Sequence, residues 1–195
     1  FTVITDTKTN VKMLLSGVSL IPDLAVADPE FTLSSPKSIT AATGLDALTH
    51  AIESYTSRKA QPLTDAVAIS AAKRIFKNLP MAYINGSDMT ARSEMSVAAL
   101  EAGIAINNAS VTLVHGMSRP IGANFHVPHG ISNAMLLEKC LSFALDGAYA
   151  KFADIARAIG AAEASESDKS AAEKLIEAIG RLCRVCEVPT LEEYG

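Results

Sequence analysis

Tryptophan is missing from this sequence and aromatic residues make up only 5% of it, so its core has to be built from aliphatic side chains. Cysteine is scarce too. Cys140, Cys183 and Cys186 are an odd number at spacings that suggest no disulfide framework, which points to a reducing compartment. There is no excess of positive charge: the formal net charge is -4, which excludes a basic surface for nucleic acid and a polybasic membrane anchor. Long apolar runs are also lacking. The most apolar stretch, residues 131–145, is interrupted by Asn133, Glu138 and Lys139, and nothing approaches the roughly 20 apolar residues of a membrane span. The expectation is a cytoplasmic protein with neither nucleic acid nor membrane as partner. Finally, the eleven glycines contain no G-x-G-x-x-G phosphate-binding pattern.

What is present is 49% hydrophobic and 19% charged, enough apolar material for one sizeable core, with an appendage at most. Residues 1–4, 12–15 and 24–27 are short β-rich or apolar runs separated by turn-like pieces, and they read as three strands. Phe1 opens directly into the first of them, so the sequence reads as a cut through a larger protein. From Ser34 the character becomes helical. Ser35 is a candidate N-cap with Pro36 at the first helical position, where a missing N–H does no harm. Leu45, Leu48, Ile52 and Tyr55 then recur every three or four residues as an apolar stripe. Further helices are predicted over 63–79, 89–107, 111–118, 130–145, 148–159 and 169–186, with Asp88 and Asp168 as start signals. Residues 161–167 form a low-complexity, solvated loop.

The chemistry concentrates in two places. Asp46 and His50 are four apart on the first helix and project about 40° from each other, so both can meet one ion. Alone, the pattern more often describes an exposed hydrogen-bonded pair. Here it lies between Leu45, Ala47 and Leu48, beside an apolar seam where an uncompensated charge is costly. The other three histidines, His115, His126 and His129, fall within fifteen residues, in a segment punctuated by Gly116, Pro120, Gly122, Pro128 and Gly130. That punctuation suggests a folded-back connection able to carry donors towards one point. One carboxylate with imidazoles and no thiolate suits Fe(II), Zn(II), Mn(II) or Ni(II).

The stretch Thr40-Ala-Ala-Thr-Gly-Leu-Asp-Ala-Leu-Thr-His-Ala-Ile-Glu-Ser-Tyr55 closely resembles the first signature of iron-containing (group III) alcohol dehydrogenases. Val114-His-Gly-Met-Ser-Arg-Pro-Ile-Gly-Ala-Asn-Phe-His-Val-Pro-His-Gly130 resembles the second, and the likeness continues through Asp28-Pro29, Asn107-Asn108 and Phe152-Ala-Asp-Ile155. The resemblance implies metal ligands at Asp46, His50, His115 and His129, with Fe(II) first among the candidate ions. It implies a mainly α fold, the dehydroquinate synthase-like helical domain. Residues 1–30 would be the tail of an N-terminal α/β cofactor-binding domain, and 31–195 an incomplete helical catalytic domain. It further implies reversible oxidation of a small alcohol to an aldehyde or ketone with NAD or NADP, in a homodimer or larger assembly.

One position departs from many relatives, which carry a histidine in the proton path where this chain has Arg119. His126 is then the candidate acid or base, or else a group hydrogen-bonded behind a ligand. Lys12 matches a family position near the cofactor and is otherwise a solvated strand lysine. Cys183 and Cys186 share a helical stripe with Ile176 and Ile179 and are expected to be core residues rather than a redox or zinc pair. Met95, Leu100, Ile104 and Ile106 are likewise expected in the core. The alternatives are a related polyol or glycerol dehydrogenase-like enzyme and a non-catalytic helical module.

Overall fold

Two strands, β1 (Thr2–Asp6) and β2 (Val11–Leu15), open the chain as an antiparallel hairpin with Thr2 opposite Leu15 and Asp6 opposite Val11. The computed structural model describes residues 2–9 and 11–194, and the side chains of Val3, Thr5, Val11, Lys12 and Leu14 fall outside that description. Asp6 closes the turn by accepting the Lys8 N–H at 2.9 Å and the Thr9 hydroxyl at 2.7 Å, a local bond pattern that favours reversal over extension.

The third expected strand does not form. Residues 24–27 are irregular, with Leu24 79% and Val26 78% exposed. Among the described residues no strand edge meets this segment, and β-propensity without a partner ladder holds nothing in place. The segment ends in a short 3-10 helix, Pro29–Thr32, capped by the Asp28 carboxylate, which accepts the Glu30 N–H.

Among the described residues eight α-helices follow: α1 Lys37–Thr56, α2 Pro62–Ile84, α3 Met89–Asn108, α4 Leu113–Phe125, α5 His129–Ala144, α6 Tyr149–Ala158, α7 Asp168–Val185 and the single turn α8 Leu191–Tyr194. The protein is mainly α, as expected. The first helix starts one residue late, with Pro36 rather than Ser35 at the N-cap and an extended ψ of 162° that keeps it outside the helix. Asp88 caps α3 by accepting the Ala91 N–H at 3.0 Å, but α7 is capped by Ser167 and begins at Asp168. In α2, Gln61 and Thr64 form a reciprocal capping box ahead of Pro62.

Two helices run past their expected ends, each through a proline. The second helix runs through Pro80 to Ile84, and α4 runs through Pro120 to Phe125 where a stop at residue 118 was expected. Proline deprives the carbonyl four residues back of its donor. In α4 that carbonyl belongs to exposed Gly116, where solvent can take the bond.

The bundle is organised around α1, which is buried on nearly every face and packs against α2, α3 and α5. Leu45, Leu48 and Ile52 of α1 are fully buried, and Tyr55 nearly so, so the predicted stripe is core. They meet Ile75 and Leu79 of α2 and Leu137 and Leu141 of α5, while α6 and α7 close the far side with Phe152, Ile155, Leu175 and Ile179. Each such side chain contributes roughly 1.5–3 kcal/mol on burial. The α3 stripe departs from expectation: Ile106 is buried and Met95 packs on the core, but Leu100 and Ile104 face outward. Their side of α3 meets no other described helix, so periodicity alone overstated its burial.

One glycine sets the position of α5. A β-carbon on Gly130 would lie 2.6 Å from the Ala42 carbonyl oxygen and 2.9 Å from its carbon, backbone atoms that cannot yield. Glycine therefore allows the first turn of α5 to press against the first half of α1. Among the described residues, no single helix is long and apolar enough to cross a membrane.

Candidate metal centre

The close approach at Gly130 places His129, the first residue of α5, beside the Asp46 to His50 turn of α1. The third residue of α4, His115, enters from another side. Asp46 Oδ1 lies 3.9 Å from His50 Nε2, 3.6 Å from His115 Nε2 and 3.8 Å from His129 Nε2. One donor atom from each of the four residues falls within 4.8 Å of all the others. The His50 and His115 rings stack at 4.8 Å between centroids, and His129 is tilted to His115 at 5.2 Å. The cluster is closed at His115, 3% exposed, and open at His129, 46% exposed.

The sequence suggested a folded-back connection for this segment, but its residues from Val114 to Phe125 are instead helical, and reversal is confined to 126–128. His126 ends α4 in the left-handed region at φ 56° and is exposed; it does not join the four. The Lys12 side chain lies outside the described residues.

Two residues that sequence reasoning passed over complete the site. Glu53 is fully buried on α1, one turn beyond His50. Its Oε1 accepts the Thr112 hydroxyl at 2.8 Å and the Val114 N–H at 2.7 Å, while Oε2 lies 2.6 Å from His115 Nδ1. The carboxylate thus caps the N-terminus of α4, where backbone N–H groups lack helical acceptors, and accepts a hydrogen bond from the His115 Nδ1–H, which leaves the Nε2 lone pair for the cluster. Burial pushes the Glu53 carboxyl up, but the hydrogen bonds and charge of His115 with the Thr112 contacts outweigh it and hold the group below its ordinary value. The second omitted residue is Asn133, one turn after His129. Its Nδ2 donates to Asp46 Oδ1 at 2.6 Å and lies 3.1 Å from His115 Nε2 and 3.2 Å from His129 Nε2. Helical spacing was a usable signal for both, since Glu53 follows Asp46 by seven and Asn133 follows His129 by four.

Burial lowers the His50 pKa and so favours the neutral ring that can donate a lone pair, against the opposing pull of the Asp46 charge. The donor set fits one divalent ion. Bonds of about 2.1 Å at tetrahedral angles place donors about 3.4 Å apart, a few tenths of an ångström inside the 3.6 to 3.9 Å measured from Asp46. The Asn133 amide turns its nitrogen to these donors, and its oxygen is buried without a hydrogen-bond partner. The cysteines are no rival site: all three are free, and burial pushes Cys186 up to about 11 and Cys183 up to about 12.

A helical domain that gathers a carboxylate and three imidazoles from three helices defines the class, an α domain with a site suited to a single divalent cation. Residues 40–195 match the Fe-containing alcohol dehydrogenase family, C-terminal, and the chain belongs to that family. It is 43% identical over 187 residues to the 1,3-propanediol dehydrogenase of Citrobacter freundii, covering 96% of this chain and 48% of that relative. It is 39% identical over 188 residues to the NAD-dependent methanol dehydrogenase of Bacillus methanolicus, covering 96% and 49%. Its fold is similar to that of the alcohol dehydrogenase from Oenococcus oeni, with a TM-score of 0.94 at 36% identity, over 99% of this chain and 51% of that one. The chain spans about half the length of the curated relatives it matches.

Proposed function

We propose that this chain is the metal-binding part of an NAD(P)-linked alcohol dehydrogenase that interconverts a small alcohol and its aldehyde or ketone. Asp46, His50, His115 and His129 hold the ion, with Fe(II) preferred and Zn(II), Mn(II) or Ni(II) as alternatives. The observation that carries the proposal is the convergence of those four donors within 4.8 Å in a chain of this family. A bound ion supplies Lewis acidity, lowering the pKa of the alcohol and favouring the alkoxide from which hydride leaves. The protein's own contribution is to orient and to exclude water: Glu53 fixes the His115 tautomer, burial favours the neutral His50 ring, and the cluster is most open on its His129 side.

Residues 1–30 are assigned to the tail of an α/β cofactor-binding domain and 31–195 to the helical domain. Lys12 is placed near the cofactor. NAD is favoured by the name of the Bacillus methanolicus relative, and a short primary alcohol or diol by the names of both relatives. His126, at the exposed α4–α5 turn, is the candidate proton acceptor in place of the histidine that Arg119 replaces. A homodimer or larger assembly in the cytoplasm completes the proposal.

Calorimetric titration of the 195-residue chain with Zn(II), and anaerobically with Fe(II), tests its centre. Saturable one-to-one binding that is lost in His50→Ala and His129→Ala supports the assignment. Binding indifferent to both substitutions removes it.

A further inference from the structure

A cavity of about 140 Å3 lies on another side of α1 from the metal centre, between the 3-10 helix at 29–32, the first half of α1 and the first half of α3. At 100° per residue, Thr40, Thr43 and Ala47, which line it, point roughly a quarter turn away from Asp46 and His50. Arg92 and Ser96 of α3 line the facing wall, and no carboxylate lines any part of it. A water molecule takes about 30 Å3 in the liquid, so the space admits several waters or one ion of phosphate size.

The charge at this cavity is not balanced. Arg92 is the one buried arginine among the described residues, 4% exposed, and all its bonds are to neutral oxygens. Its Nε donates to the Gly86 carbonyl at 2.8 Å, Nη1 to the Thr40 hydroxyl at 2.8 Å and Nη2 to the Ser35 carbonyl at 3.3 Å. The more exposed Arg74 and Arg157 both meet carboxylates, whereas no described carboxylate pairs with Arg92. A buried charge without a counter-charge is costly, and the fold leaves this one unmatched.

Donors are in surplus as well. A guanidinium carries five N–H groups, and the three bonds of Arg92 leave one on each Nη atom. The Thr40 hydroxyl accepts from Arg92 and keeps its own proton to give, and the half-buried Ser96 hydroxyl has no protein partner. Two guanidinium N–H groups and two hydroxyls are thus left around a space with a positive charge and no acceptor. An oxyanion is the complement of that set, since a guanidinium fork takes two oxygens of one phosphate or carboxylate group. We propose that this cavity binds a small oxyanion of the phosphate type, free or as the terminal group of a larger molecule, held by Arg92, Thr40 and Ser96. The anion supplies the counter-charge that Arg92 lacks and ties α1 to α3.

The test is calorimetric titration of the 195-residue chain, freed of metal, with inorganic phosphate and separately with methyl phosphate, at an ionic strength held constant with chloride so that general screening is matched. A crystal of the same metal-free chain soaked in phosphate locates the ion. Saturable binding is expected, with an affinity about tenfold or more weaker in Arg92→Met and about two- to tenfold weaker in Ser96→Ala, and phosphate oxygens within hydrogen-bond distance of both Nη atoms. Methyl phosphate binding as well as phosphate would mark the site as one for an esterified group, and phosphate alone as one for the free ion; both support the proposal. Absence of saturable binding by either ligand would overturn it. So would binding indifferent to Arg92→Met and Ser96→Ala, or phosphate found only beside His129 with water alone at Arg92. If Arg92→Met does not fold, Ser96→Ala and the soaked crystal decide.

Discussion

Where α1, α4 and α5 meet, the bundle buries charge and polarity; where α6 and α7 meet, it buries hydrocarbon and glycine alone. The first corner encloses Glu53, His115, Ser132 and Asn133, and the second Phe152, Ile155, Leu175 and Ile179. At α6 and α7 the polar groups stay outside, where Arg157 reaches the Asp168 carboxylate and Glu166 takes Lys174 and Ser170. An apolar seam holds two helices together through side chains that need no polar partner. The polar corner is held only while every donor meets an acceptor, and such an arrangement persists in a fold when it serves something besides stability.

Four substitutions or conditions can break that contrast. The largest effect is expected from Glu53→Ala, which strands the His115 Nδ1–H, the Val114 N–H and the Thr112 hydroxyl. Urea unfolding should show a loss of about 3–5 kcal/mol, and metal affinity of the folded fraction should drop about 10–100-fold. Stability without the affinity loss would mean that His115 needs no orienting partner. Phe152→Ala should cost about 3–5 kcal/mol as well, by leaving a cavity, yet titration with Zn(II) should give an unchanged dissociation constant. A changed constant would show that the two corners are coupled.

Gly130→Ala comes next. The added methyl must push α5 off the Ala42 carbonyl, at about 1–3 kcal/mol by analogy with overpacked cores, and because His129 moves with it the metal affinity should weaken too. Calorimetry and thermal melting on the same sample check both. The smallest effect is a pH dependence at α6 and α7. The Glu163 backbone N–H first, and then Lys174, pull the Glu166 carboxyl down to about 2 from an ordinary 4.5. A depressed carboxylate contributes stability above its unfolded value, and that contribution fades as pH falls from about 4.5 to about 2. Melting temperatures of Glu166→Gln and the unsubstituted chain should therefore converge as the solution is acidified through that window. A constant gap would put the stabilisation elsewhere.

The four proposed ligands were legible because two of them share a helix turn and the other two sit in a signature, and both kinds of pattern are written in local spacing. The helices themselves were legible for the same reason, since a period of three to four residues marks a buried face wherever it occurs. The failures have a common form. Residues 24–27 have the composition of a strand and no strand to pair with; the helices expected to end at 79 and 118 run on through Pro80 and Pro120; Leu100 and Ile104 follow the apolar period but stay exposed.

By itself the sequence determined which segments are helical, which faces are apolar and which side chains have the right chemistry for a cation. Tertiary structure alone decided that His115 and His129 reach Asp46, that Glu53 stands behind His115, and that the Asn133 amide lies among the donors. The physical reason is that geometry within a helix follows from bonds four residues apart, whereas the separation of two helices follows from what their contact residues allow, here a missing side chain at Gly130.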